Sequence, residues 1–187
     1  MTLAQLLVPA CWLIFLLYWA ISARSVKPAE ERSHGFGGNW HYGVLIVGAI
    51  LQQRIPISPL NLTLLPRTAF IGLLSSLCAV GGLAIALVAR RTLADNWSSV
   101  VTFKQDHELI TRGIYHYMRH PIYTGVLLLF LATVLLVGTL GAVLGFLIVI
   151  IGLWVKLKQE EALLERHFPT EYPEYKRQVK ALLPFIL

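Results

Sequence analysis

HELITRGIYHYMRHPIYTG, residues 107–125, runs straight into the longest apolar block of the chain, residues 122–154. This junction decides the fold. The quoted stretch holds three of the six histidines (His107, His116, His120), three tyrosines and two arginines. So dense a polar cluster, at the mouth of a segment able to enter a bilayer, is costly to keep unless something uses it. The apolar block has 33 residues, too many for one helix across a hydrocarbon core about 30 Å thick. Gly138-Thr139-Leu140-Gly141 sits near its middle, so it reads as two helices that reverse there.

Outward from that hairpin the chain keeps the same character. Apolar residues make up 56% of its 187 residues and charged ones 14%, with a mean hydropathy of +0.65. The charges cluster between apolar runs, at about 4–23, 40–53 and 68–89, the last ending at Arg90-Arg91. The segment 55–66 carries Pro56, Pro59 and Pro66 and reads as a broken connection. The expected fold class is all-α: a polytopic membrane protein with about five transmembrane helices. Residues 1–90 form an N-terminal unit of three spans, and 91–187 a second unit of helix hairpin plus tail. In that tail Phe168, Tyr172, Tyr175, Val179 and Leu182 recur at helical spacing. They predict an amphipathic helix that starts at Tyr172-Pro173, with the proline at its first position, and ends at Pro184.

The first span has Arg24 and Lys27 after it rather than basic residues before it, which favours a retained helix with its N-terminus outside. Five spans then put fourteen of the sixteen Lys and Arg residues on the inner face, leaving only Arg54 and Arg67 outside. That bias agrees with the positive-inside rule. The net charge of +6 therefore reads as cytoplasmic loops meeting anionic lipid, not as a nucleic-acid surface. Cys11 and Cys78 lie inside apolar runs, and no Cys-x-x-Cys or His-Glu-x-x-His pattern occurs, so no metal site is expected. Gly35-Phe36-Gly37-Gly38 lacks the spacing of a phosphate-binding fingerprint and reads as a flexible loop.

Two polar groups meet at one end of the hairpin. Pro121 puts His120 at the cap of the fourth span, with Arg119 and Tyr123 within a turn, and a helix N-terminus attracts a carboxylate or phosphate. At the end of the fifth span Lys156 and Glu160, four residues apart, share a face, with Glu161 and Glu165 nearby. A histidine, tyrosines, a lysine and carboxylates together suit a zwitterionic ligand. Tyrosine and basic residues also populate ordinary membrane interfaces, and spacing does not name the ligand.

Several spaced motifs carry a resemblance. They are His107-x-Leu109, Gly113-Ile114-Tyr115, Arg119-His120-Pro121-x-Tyr123-x-Gly125, Glu160-Glu161, Tyr172-x-x-Tyr175-Lys176 and Leu183-Pro184-Phe185-Ile186. In this order they resemble the isoprenylcysteine carboxyl methyltransferase family, and Asn96-Trp97-Ser98 is similar to its bacterial branch. The resemblance covers about residues 91–187. It implies S-adenosylmethionine as cofactor, enclosed by membrane helices at the cytoplasmic side. It implies that His107, Glu108, Leu109, Ile110, Tyr115, His120, Pro121, Ile122, Tyr123 and Glu160 contact that cofactor. Lys156 stands where eukaryotic members carry a substrate-binding arginine; lysine keeps the charge without the bidentate fork.

The expected function is S-adenosylmethionine-dependent methylation of a lipidic or prenylated acceptor drawn from the bilayer, with Lys156, Glu160 and Arg119 as candidate catalytic residues. A carboxylate acceptor is ionised at neutral pH and needs only a partner such as Lys156 and exclusion of water. A phospholipid amine would need a base, for which His120 or Glu160 is available. A membrane reductase using NADPH and a non-catalytic scaffold remain as alternatives, separable by which cofactor binds.

Overall fold

The computed structural model describes residues 2–22, 29–32, 40–94, 102–104 and 109–183. Five apolar helices form a bundle: α1 (Leu3–Ser22), α2 (Trp40–Leu51), α3 (Ala69–Leu93), α4 (Pro121–Val137) and α5 (Leu140–His167), followed by the short α6 (Glu171–Gln178). The Gly35–Gly38 loop, Asn96-Trp97-Ser98, His107, Glu108 and residues 184–186 lie outside the described residues. The all-α expectation holds for the bundle. One addition is a two-stranded antiparallel ladder, β1 (Ala29–Arg32) with β2 (Thr102–Lys104), pairing Ala29 with Lys104 and Arg32 with Thr102.

The hairpin reverses where its sequence says. Gly138, at φ +71°, takes the left-handed conformation that ends α4, and Thr139 accepts from the Ala142 amide to cap α5. The proline-rich segment packs on this turn. The Leu64 and Leu65 amides donate to the Gly138 carbonyl, and the Leu140 and Gly141 amides to Leu62 and Leu60. Non-helical backbone can lie near a membrane when protein meets its polar groups in this way.

Helices α1, α3 and α5 are long and apolar enough to cross a membrane; α2 and α4 are shorter apolar helices. At 1.5 Å per residue α4 is about 25 Å long and α2 about 18 Å. The third span runs on past Arg90-Arg91 to Leu93, one turn further than its hydropathy indicates. Buried Arg90 donates to the Ala94 and Ser22 carbonyls. Its charge thus caps the ends of α3 and α1 instead of marking a water boundary.

Two close approaches set the packing. A Cβ on Gly125 would lie 2.6 Å from the Gly82 carbonyl oxygen, and one on Gly145 2.6 Å from that of Gly48. The first pair joins α3 to α4, the second α2 to α5. Helix α1 packs on α3 and α4, whereas among the described residues α1 and α2 scarcely touch. The space between them opens onto the centre of the bundle.

The tail departs from the expected long helix. α6 begins at Glu171, which puts Pro173 at its third position, still within the turn whose amides have no intrahelical acceptor. It stops at Gln178. From Val179 the chain is extended and runs beside 118–120: the Arg119 and His120 amides donate to the Lys180 and Ala181 carbonyls at 2.8 Å. These tertiary partners outbid the helical periodicity of Val179 and Leu182.

Candidate active site

His120 and Tyr123 flank the first turn of α4, because Pro121 is pre-set for the first helical position. Their rings stack in parallel, 5.5 Å between centroids. Glu160, near the far end of α5, closes the group: its Oε1 accepts from the Tyr123 hydroxyl at 2.5 Å, and its Oε2 lies 3.7 Å from His120 Nδ1. One turn back on α5, the buried Lys156 has Nζ 3.7 Å from Glu160 Oε1 and 5.5 Å from the centre of the Tyr123 ring. The expected convergence of the two helix ends is therefore present.

Glu161 plays a larger part than its neighbour's motif suggests. It is buried, and Arg119 Nε and Nη2 reach its Oε1 at 3.0 and 2.5 Å. His120 Nε2 stands 3.5 Å from the same oxygen, and Lys176 Nζ 3.2 Å from the other. The remaining Arg119 nitrogen, Nη1, donates to the Val179 and Lys176 carbonyls. The guanidinium, expected among the reacting groups, is thus occupied in tying the tail to α5.

That tail closes the polar end. The Tyr175 hydroxyl donates to the Tyr115 carbonyl, and Thr124 Oγ1 to Leu182 at 2.7 Å. Burial raises the phenols of Tyr172 and Tyr175, and the hydrogen bond to Glu165 raises the Lys176 ammonium. The helix N-terminus offers less to an anion than expected. The Arg119 and His120 amides are taken by the tail, and those of Tyr123 and Thr124 by the His120 carbonyl.

His120, Tyr123, Lys156 and Glu160 border one cavity of about 980 Å³, from which Glu161 is turned away. Leu109, Ile110, Tyr115, Arg119, His120, Ile122, Tyr123, Lys156 and Glu160 are on its wall, as are Tyr172 and Tyr175 from the tail. Pro121 is buried and sets the turn. Beyond Tyr123 the cavity follows α4 past Val126, Phe130 and Thr133 to Val137, about 21 Å by helical rise. There its walls are the apolar sides of α1 and α2, including Trp12, Leu45 and Ala49, together with Leu153 of α5. Hydropathy does not assign α1 and α2 to the cavity, since an apolar face toward lipid and one toward a cavity have the same composition. His41, a polar residue in the apolar run of α2, is the signal that points there. The arrangement suits an amphiphile with its charged end among Lys156, Glu160 and His120 and its tail along α4.

Residues 74–166 match the family model for the isoprenylcysteine carboxyl methyltransferase family. A protein-S-isoprenylcysteine O-methyltransferase of Schizosaccharomyces pombe is 37% identical over 97 residues, covering 49% of this chain and 40% of that protein. A probable protein-S-isoprenylcysteine O-methyltransferase of Oryza sativa subsp. indica is 30% identical over 120 residues, 63% of each. This chain spans less than two thirds of the length of these curated relatives. The solved structure of a eukaryotic intramembrane Ras methyltransferase superposes with a TM-score of 0.50 at 22% identity, over 79% of this chain and 63% of that one. That likeness is one of fold.

Proposed function

We propose that this chain, which matches the isoprenylcysteine carboxyl methyltransferase family model over residues 74–166, belongs to that family and uses S-adenosylmethionine to methylate the carboxylate of an isoprenylcysteine-like or other lipidic acid. One observation carries the reading: a single cavity joins the Lys156–Glu160–Tyr123 group to an apolar slot between α1, α2, α4 and α5.

The residues fit the cofactor by their chemistry. Its size class is met by about 980 Å³. Glu160, its side chain 25% exposed, offers a carboxylate to an ammonium or sulfonium, and the faces of Tyr115 and Tyr123 suit a cation or a purine. We assign Leu109, Ile110, Tyr115, His120, Ile122, Tyr123 and Glu160 to that group, with His107 and Glu108 completing it by the family pattern and Pro121 fixing the turn. S-adenosylmethionine, when bound, supplies an electrophilic methyl group on sulfur.

The protein does the rest by placement. Lys156 holds the acceptor carboxylate, which is ionised at neutral pH and needs no base. The tail excludes water from the nucleophile, and alignment of the two reactants supplies several kcal/mol of the acceleration, on the order of 7. Arg119 acts through Glu161, by keeping the tail in place. An amine acceptor is less well served: both ring nitrogens of His120 are turned to carboxylates, which leaves the ring poorly placed to take a proton. The chemistry then belongs to residues 91–187, and the helices of 1–90 shape the slot for the tail. With fourteen of sixteen basic residues at that end by the five-span count, we place the polar end in the cytoplasm.

The test is methyl transfer in detergent from labelled S-adenosylmethionine to N-acetyl-S-farnesylcysteine, with phosphatidylethanolamine as the rival acceptor. A base-labile methyl ester is the expected product. An N-methylated lipid, or binding of NADPH in place of S-adenosylhomocysteine, would overturn the reading.

A further inference from the structure

Helix α2 lies outside the residues that match the family model, yet it brings a histidine to the polar end of the cavity. Val44 of α2 sits against Gly152 of α5, where its Cγ1 leaves no room for a Cβ. Gly48 meets Gly145 further along, so the two helices run antiparallel with a defined register. One turn beyond Val44 is His41; one turn beyond Gly152 is Lys156. The register therefore puts the imidazole and the ammonium at the same depth. Both are buried, at 3% and 7% exposure, and both are on the cavity wall. The Tyr42 ring, 4.2 Å from that of His41, restricts its orientation.

From this placement we infer that His41 is a second holder of the acceptor's head group. Its ring N–H donates to one carboxylate oxygen while Lys156 neutralises the other. This rests on the reading of the site as a carboxyl methyltransferase, and it answers a chemical need of that reading. An ammonium is a point charge and cannot span both oxygens as a guanidinium fork does. A hydrogen bond from a separate donor restores the two-point grip. His41 is thus a specificity-determining residue for acids over isosteric amides.

The experiment compares wild type, His41→Phe and His41→Asn as full-length protein in detergent, with N-acetyl-S-farnesylcysteine as the probe. Phe keeps the volume and removes the donor; Asn keeps an N–H donor. The Phe variant should raise KM for the probe about ten- to hundred-fold, with S-adenosylhomocysteine affinity within twofold of wild type. The Asn variant should recover most of the loss. An unchanged KM in the Phe variant, or loss of S-adenosylhomocysteine binding alongside the acceptor, shows a packing residue and overturns the inference alone. A wild-type protein that transfers no methyl to the probe overturns the function reading and this inference with it.

Discussion

Glu160 and Glu161 are adjacent in sequence and opposite in role, because neighbours on a helix point about 100° apart. Glu160 looks into the cavity with its side chain 25% exposed; Glu161 is turned to Arg119 with 2%. Substitution should separate them. Glu160→Gln removes the charge facing the cavity and should weaken S-adenosylhomocysteine binding at least tenfold by calorimetry, with the unfolding temperature almost unmoved. A wild-type affinity would remove Glu160 from the site. Arg119→Met instead leaves the buried Glu161 without its main partner. It should cost about 3 kcal/mol of stability, since Lys176 remains to offset part of the loss. If thermal unfolding in detergent is unchanged while turnover disappears, the guanidinium acts on the reaction and not on the tail.

At the scale of elements, the α3–α4 contact depends on two facing glycines. Gly125→Val would drive a side chain into the Gly82 carbonyl and the Ala86 side chain, and should destabilise the protein by about 1–3 kcal/mol. The unfolding temperature reads this directly, and Gly81→Ala, where no neighbour lies within 4 Å, is the control expected to be neutral. The tail is the other element whose attachment can be measured. Tyr172, Tyr175 and Lys176 all hold their protons more tightly when docked. Their contribution is therefore complete below the free values near pH 10 and is lost as pH rises through the docked ones. Tyrosinate absorbance and protease access to residues 171–182 should rise together above about pH 10. Phenols that titrate near their free value with the tail still protected would contradict the burial.

Over the whole molecule, the gap between α1 and α2 makes the cavity longer than the polar site needs. Ala49→Trp, on the wall well away from Glu160, should depress turnover of a farnesyl or geranylgeranyl acceptor more than that of a short-chain analogue. S-adenosylhomocysteine affinity should stay the same; equal rates across the chain lengths would place the tail elsewhere. Much of this molecule is determined by local sequence. The apolar runs, the Gly138–Thr139 reversal and the i, i+4 spacing of Lys156 and Glu160 dictate the bundle, the hairpin and half of the site. Each of these is a property of a few adjoining residues, set by hydrophobic length, a left-handed turn or helical pitch. Three features came only from tertiary packing: the use of Arg119 as a clamp, the break of the tail helix at Gln178, and the cavity wall made by α1 and α2. In each, groups far apart in the chain compete for the same donor or surface. The winner is the one that satisfies a buried charge or carbonyl, and local periodicity carries no information about that.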